Sequence, residues 1–174
     1  MKQITASLIV LMMIMITGCE KNKWEQQEQK KIDEYIKSLE DTVYVEYPSG
    51  LYYIELREGT GNLPEDNDTV FFKYNATFLN YVTFSTNYPK NVPVKYCLGS
   101  DIVYIRDING DVSPQRIVEG LDEGLHYIRD GGKARLLLPS KIAFGFEGIW
   151  NVVPGYTPVL YTVDIDSVKA GITR

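Results

Sequence analysis

Residues that could carry acid–base or metal chemistry are scarce in this sequence. His126 is its only histidine, and Glu123 three residues before it on a predicted helix indicates a solvated side chain. Cys19 and Cys97 stand far apart, so no cluster has the spacing of a metal site. The acidic run at 65–68 lacks the glycine and distant glutamate of a calcium loop, which favours a solvated turn. We therefore expect no metal and no cofactor.

Cys19 lies where a bacterial lipoprotein would be acylated. Residues 4–16 are almost uninterruptedly apolar, and Ile16-Thr17-Gly18-Cys19 resembles a lipobox. The apolar stretch is too short for a permanent membrane helix and is interpreted as the core of a signal peptide. We expect removal of residues 1–18, lipidation of Cys19, and a lipid-anchored location in the cell envelope that faces the periplasm or the outside. The alternative is an ordinary signal peptide that ends near a cysteine by chance.

Composition and charge narrow the classes of partner. The 174 residues are 44% hydrophobic and 24% charged, which is typical of one globular domain. The net charge of −5 argues against a nucleic-acid partner, because few phosphates could be neutralised. It also argues against electrostatic adhesion to anionic lipid, so the acyl group would have to attach the protein to the membrane.

Hydrophobic periodicity changes from helical to strand-like along the chain. After a polar tether at 20–24, the residues Ile32, Tyr35, Ile36 and Leu39 have the spacing of an amphipathic helix. Packing against its own domain is favoured over binding of a partner. From Val43 onward the pattern favours strands; we predict them at 52–56, 69–79, 93–98, 133–138 and 159–168.

The middle of the chain contains a predicted hairpin followed by a helix. Asn109-Gly110 supplies the tight turn of a hairpin over Asp101 to Val112. Ser113-Pro114 offers a helix cap and a first-turn proline. The helix would place Val118, Leu121, Leu125 and Ile128 on one face and end before Gly131-Gly132. Many strands around one central helix indicate an α+β domain.

Several local motifs occur in the order of one known family. They cover about residues 50–168 and are Gly59-Thr60-Gly61, the strand 70–74 with Phe84 ten residues after Tyr74, the helix 118–125, the strand 132–139, Ala143-Phe144-Gly145, Val152-Val153-Pro154 and the closing strand 161–165. Together they resemble the FKBP family of peptidyl-prolyl cis–trans isomerases. The resemblance implies a twisted antiparallel sheet wrapped around one short helix. It moves the helix start from Pro114 to nearer Val118.

The resemblance also implies a domain arrangement and a substrate pocket. An FKBP-like domain would span 49–174, after a segment at 19–48 that holds the lipidated cysteine, the tether and the extra helix. Its substrates would be proline-containing polypeptides. The Val118 N–H would anchor a substrate carbonyl. The pocket would be formed by ten residues: Tyr74, Phe84, Ser85, Val94, Val118, Leu121, Phe144, Val152, Val153 and Tyr161. The alternative for each residue is plain core packing.

Departures from the family pattern bear on catalysis. Ser85 stands where most active relatives have an aspartate, and Leu121 replaces the usual tryptophan at the pocket floor. Phe144 replaces a tyrosine and Val94 a phenylalanine. In the flap, the segment that contains Val152-Val153-Pro154, Gly155 replaces the second proline. An insertion at about 100–115 precedes the pocket floor and would reshape or cover the cleft.

Three functions follow from these observations. The first is a membrane-anchored prolyl isomerase that assists the folding of exported proteins. The second is a binding module or chaperone lipoprotein that has kept the groove but lost efficient turnover. The third is a structural subunit that uses the N-terminal helix and the insertion as contact surfaces.

Overall fold

The computed structural model describes residues 23–88, 92–106 and 112–171. By its contacts the chain divides into two compact units, Met1–Leu39 and Glu40–Arg174. The predictions for the signal peptide, for Cys19 and for the Asn109-Gly110 turn lie outside the described residues.

The described part of the first unit is an α-helix over residues 23–38, α1. Ile32 and Tyr35 are buried on it, as the amphipathic spacing predicts. The prediction of a tether as far as residue 24 is wrong, because Lys23 and Trp24 already belong to the helix. No glycine or proline interrupts this stretch, so nothing local stops the helix. Within the described ranges, no helix has the length and apolar character needed to cross a bilayer.

The second unit is an α+β domain, as predicted. Its described strands are β1 (Val45–Glu46), β2 (Tyr52–Arg57), β3 (Thr69–Phe78), β4 (Thr83–Thr86), β5 (Val94–Cys97), β6 (Ile102–Arg106), β7 (Val112–Arg116), β8 (Lys133–Leu138) and β9 (Val159–Lys169). Seven of them form one sheet in the order β1-β2-β8-β9-β3-β4, with β5 also paired to β3. All of these pairs are antiparallel. The strands β6 and β7 form a separate hairpin.

The long strands β3 and β9 carry the centre of the core. Phe72, Tyr74 and Ala76 are buried on one face of β3, because side chains alternate between the faces of a strand. Across the ladder, Ala76 pairs with Tyr161 and Tyr74 with Val163. The same face of the sheet therefore holds the two tyrosines side by side.

A short helix, α2 (Glu119–Leu125), packs against this face of the sheet. Leu121 and Leu125 are buried beneath it, and so is Ile128 beyond its end. The helix begins after Val118, which accepts hydrogen bonds at its carbonyl from the N–H groups of Leu121 and Asp122. The start nearer Val118 is confirmed.

The prediction of a helix cap at Ser113-Pro114 is wrong. Both residues belong to β7, where Pro114 pairs with Tyr104. A proline is tolerated in an edge strand of a two-stranded hairpin, because its missing N–H interrupts no sheet interior. The second hairpin strand thus runs through Arg116, four residues beyond the predicted end at Val112.

Hydrogen bonds fix the helix relative to the hairpin. The hydroxyl of buried Tyr96 lies 2.7 Å from Asp122 Oδ1 on α2 and 2.6 Å from the carbonyl of Ser100. The N–H of Gly99 donates to the same Asp122 oxygen. The turn before β6 is therefore tied to the first turn of the helix, and so is the hairpin that follows.

Candidate functional site

A cavity of about 320 Å³ lies between the sheet, α2 and the hairpin. The structure brings around it nine of the ten residues predicted for the pocket: Tyr74, Phe84, Ser85, Val94, Val118, Leu121, Phe144, Val152 and Tyr161. Pockets of this size and largely apolar lining hold small ligands or ligand groups. No side chain among the described residues fills the space, so the ordered motifs converge on a hollow rather than on a closed core.

Aromatic rings form the walls of the cavity. The ring of Phe84 meets that of Phe144 edge-to-face, with centroids 6.0 Å apart and an interplanar angle of 78°. The Phe84 ring also meets the Tyr161 ring edge-to-face, with centroids 6.5 Å apart and an interplanar angle of 86°. Tyr161 in turn lies 5.9 Å from Tyr74. Perpendicular rings of this kind enclose a box with apolar faces, which suits a compact saturated ring.

Backbone pairing explains how Tyr74 and Ser85 come together. The strand β4 pairs with β3 so that Ser85 stands opposite Ala76, two residues from Tyr74 on the same strand. The hydroxyl oxygens of Tyr74 and Ser85 lie 2.9 Å apart. The N–H of Tyr74 also donates to Asn87 Oδ1, and its carbonyl accepts from Thr86 Oγ1 and from the Asn87 N–H.

The tyrosine hydroxyls remain uncharged at neutral pH. Burial raises the pKa of Tyr161 far above its usual value, and the nearby Tyr74 adds to the effect. Burial also raises the pKa of Tyr74, which the hydrogen bond with Ser85 offsets in part. Neither hydroxyl can act as a base, so the site offers enclosure and hydrogen bonding rather than proton transfer.

The floor of the cavity is formed at the start of α2. Leu121 is 5% exposed and presents an aliphatic side chain where the family pattern has tryptophan. Val118, at the helix start, also lines the cavity. No described residue accepts a hydrogen bond from the Val118 N–H. That donor is therefore available to a ligand carbonyl, as the resemblance implies.

The tenth predicted residue, Val153, does not line the cavity. It is 2% exposed and packs within the core. Its N–H donates to the Ile149 carbonyl, and its own carbonyl accepts from the Ile149 N–H at 2.7 Å. These bonds close a tight turn over residues 149–153 of the flap. Within the turn, Ile149 and Val152 face the cavity, whereas the side chain of Val153 faces the core.

Other lining residues were not predicted from the sequence. Phe72, Ile117 and Ile149 extend the apolar wall, and Val103, Ile105, Gln115 and Arg116 come from the hairpin. The insertion therefore forms part of the cavity wall. Its apolar residues occur on both faces of β6, so periodicity alone could not show which face would be turned to the cavity.

His126 is not a freely solvated side chain, which corrects the prediction. Its Nε2 lies 3.0 Å from Asp66 Oδ1, and its Nδ1 lies 2.9 Å from the Asp122 carbonyl oxygen. Burial lowers the pKa of His126, but the hydrogen bonds and charges of Asp122 and Asp66 outweigh it, and the pKa lies above its usual value. The pair links α2 to the acidic turn, away from the cavity.

Cys97 is a free, exposed thiol. Among the residues that the structure describes, no group of three or more histidine, cysteine, aspartate or glutamate side chains could hold a metal ion.

Comparison with known proteins adds independent information. FkpA of Escherichia coli K12, an FKBP-type peptidyl-prolyl cis-trans isomerase, is 28% identical over 121 residues, which is 70% of this chain and 38% of that protein. The chain thus matches less than half of that relative's length. The crystal structure of E. coli FkpA superposes with a TM-score of 0.66 at 25% identity, covering 86% of this chain and 64% of that one.

A second solved structure shares the fold. A peptidyl-prolyl cis-trans isomerase from Pseudomonas syringae gives a TM-score of 0.64 at 21% identity, covering 83% of this chain and 96% of that one. A sequence model of the FKBP-type peptidyl-prolyl cis-trans isomerases matches residues 61–166, more than half of the chain. The chain therefore belongs to the FKBP-type peptidyl-prolyl cis-trans isomerase family.

Proposed function

We propose that this protein catalyses the cis–trans isomerisation of peptidyl-prolyl bonds in polypeptides. The observation that carries the proposal is the aromatic-walled cavity of about 320 Å³, whose floor holds the N–H of Val118, a donor for which no described residue is an acceptor. Family membership supports the same activity.

The reaction needs a dry, shaped site rather than a reactive group. Rotation about a peptide bond meets a barrier of roughly 18–20 kcal/mol, because the twisted amide loses resonance. Water stabilises the polar planar amide more than the twisted one, so removal of water lowers the barrier. Phe84, Phe144 and Tyr161 would hold the proline ring and exclude water. The Val118 N–H would bind a substrate carbonyl and fix one side of the rotating bond.

A protease-coupled assay on proline tetrapeptides tests the activity. We expect a rate above the uncatalysed one, and the same samples should show faster cis–trans exchange by NMR without protease. Rates equal to the buffer blank, from protein shown to be folded by circular dichroism, would contradict the proposal.

A binding module without efficient turnover is the second candidate. It is favoured by Ser85, whose hydroxyl meets Tyr74 where the family pattern has a carboxylate. Titration with a proline peptide separates the candidates: binding without rate enhancement supports the module, whereas binding with enhancement supports the enzyme.

We further propose that the protein is attached to the cell envelope through a lipid on Cys19 and acts on exported proteins. The lipobox-like sequence at 16–19 supports this location. Metabolic labelling with an alkyne fatty acid should label the wild type and Cys97→Ala but not Cys19→Ala. Label retained by Cys19→Ala would contradict a lipid at that residue.

A further inference from the structure

The hairpin of β6 and β7 packs against the core of the domain and forms one wall of the cavity. Val103 is 3% exposed and belongs to the core, and Ile105 packs against it. The N–H of Ile117 donates to the Asp101 carbonyl at 3.1 Å and closes the base of the hairpin. The positions of the hairpin residues are therefore fixed relative to the floor of the cavity.

The end of β7 places two polar residues on this otherwise apolar wall. Gln115 pairs with buried Val103, so the two residues share the face that is turned to the cavity. Arg116 follows and also lines the cavity. Of the described residues that line it, Arg116 alone carries a formal charge. A peptide in the cavity would therefore meet one positive charge beside Gln115.

The charge of Arg116 is not neutralised within the described residues. No described carboxylate forms an ion pair with it. Glu119 is near Arg116 in the chain, and Asp101 precedes Ile102, the residue that pairs with Arg116 across the hairpin, but neither carboxylate lines the cavity. Asp122 already accepts from Tyr96 and Gly99. Arg116 thus keeps its attraction for an anionic group brought in by a ligand.

We propose that Gln115 and Arg116 form a subsite that selects peptides with an acidic side chain immediately before the proline. The proposal rests on the proposed function, since the proline ring must occupy the aromatic box for its neighbour to reach the hairpin. It assigns to the insertion a role in substrate choice.

The test compares kcat/KM for tetrapeptides that have glutamate, glutamine or lysine before the proline. We expect a preference for glutamate over lysine of about fivefold at low salt, the size of an exposed charge interaction. Arg116→Gln should reduce the ratio to near one, and Arg116→Glu should reverse it. The preference should also fall in 0.5 M salt, since exposed charges are then screened.

Lys95→Gln is the matched control. It removes one positive charge from an exposed residue of β5 that lines a neighbouring groove and not the cavity. The control should keep the wild-type ratio. Equal rates for the glutamate and lysine peptides in the wild type, or the same loss of preference in Lys95→Gln and Arg116→Gln, would overturn the subsite.

Failure of the subsite can be told apart from failure of the proposed function. Isomerase activity is judged on the glutamine peptide, whereas the subsite is judged on the ratio between charged peptides. If no peptide is turned over, affinities of the same three peptides measured by tyrosine or tryptophan fluorescence give the ratio independently. A ratio near one in that titration would also overturn the subsite.

Discussion

The hydroxyl oxygens of Tyr74 and Ser85 lie 2.9 Å apart at the cavity wall, joining a buried strand of the sheet to its edge. Tyr74 is 5% exposed, so its hydroxyl has little access to water as an alternative partner. The family pattern has a carboxylate at position 85. In this protein a neutral pair occupies that part of the pocket.

We expect this pair to show measurable energetic coupling. Tyr74→Phe and Ser85→Ala each remove one partner, and the double variant removes both. A neutral hydrogen bond contributes about 1 kcal/mol, so the double-mutant cycle should give a coupling of about that size in the free energy of unfolding. Urea unfolding of the four proteins measures it. Additive single effects would show that the contact is energetically neutral.

Phe84→Ala should weaken peptide binding more than it weakens folding. The ring is only partly buried, so its loss should cost about 2 kcal/mol of stability, below the 3–5 kcal/mol of a fully buried aromatic. Peptide affinity should fall about tenfold or more, because Phe84 contacts both Phe144 and Tyr161 across the box.

The control for this prediction is Phe71→Ala. Phe71 is a half-buried aromatic residue of β3 that does not line the cavity, so its loss should lower stability without changing affinity. Calorimetric titration with a proline peptide and urea unfolding provide both readouts. Unchanged affinity in Phe84→Ala would show that Phe84 does not form the pocket.

The strands with long alternating patterns could be predicted from the sequence. Lys133–Leu138 has the predicted bounds, and β3 and β9 end within a residue of theirs. Each of these strands buries one face against the core, so its alternation of apolar and polar residues shows directly which face is buried. The edge strand Thr83–Thr86 is four residues long with no buried member, and its sequence carries no comparable signal.

The site could be predicted only where local motifs carry it. Tyr74, Phe84 and Tyr161 are separated by up to 87 positions in the chain, yet each lies in a recognisable strand or motif. The hairpin of β6 and β7 corresponds to no motif of the family, so no pattern in the sequence places Gln115 and Arg116 in the lining of the cavity. Ser113-Pro114 has the residue types of a helix start, and the pairing of Pro114 with Tyr104 overrides that local preference.

The bond between His126 and Asp66 predicts a pH-dependent stability. The folded-state pKa of His126 lies above its ordinary value of 6.5, so folding favours the protonated form. Its stabilising contribution is therefore complete below pH 6.5 and is lost as the pH rises through the higher folded-state pKa. Because the Asp66 side chain is largely exposed, we expect this pair to contribute less than about 1 kcal/mol.

Comparison with His126→Asn isolates this contribution. The advantage of the wild type in urea unfolding should be larger at pH 5.5 than at pH 8.5, and Asp66→Asn should flatten the dependence. NMR titration of the single histidine gives its pKa directly, and a value below 6.5 would contradict the prediction.

The flap offers a last test, because one glycine permits its tight turn. Gly148 has a φ of +69°, and a Cβ placed on it would lie 2.1 Å from the Val153 carbonyl oxygen. Gly148→Ala must therefore break the bridge between Ile149 and Val153 and displace Val152 from the cavity wall. Gly145→Ala is the matched control, since its φ is +66° but no atom lies within 4 Å of the added Cβ.

Both variants carry the backbone strain of a left-handed alanine, about 1 kcal/mol, so this part cancels in the comparison. The clash is confined to Gly148. We expect Gly148→Ala to lower peptide affinity about fivefold relative to Gly145→Ala, because the apolar rim that excludes water is lost. Equal affinities in the two variants, measured by calorimetric titration, would mean that proline peptides bind without the flap, and the cavity wall would then end at Phe144.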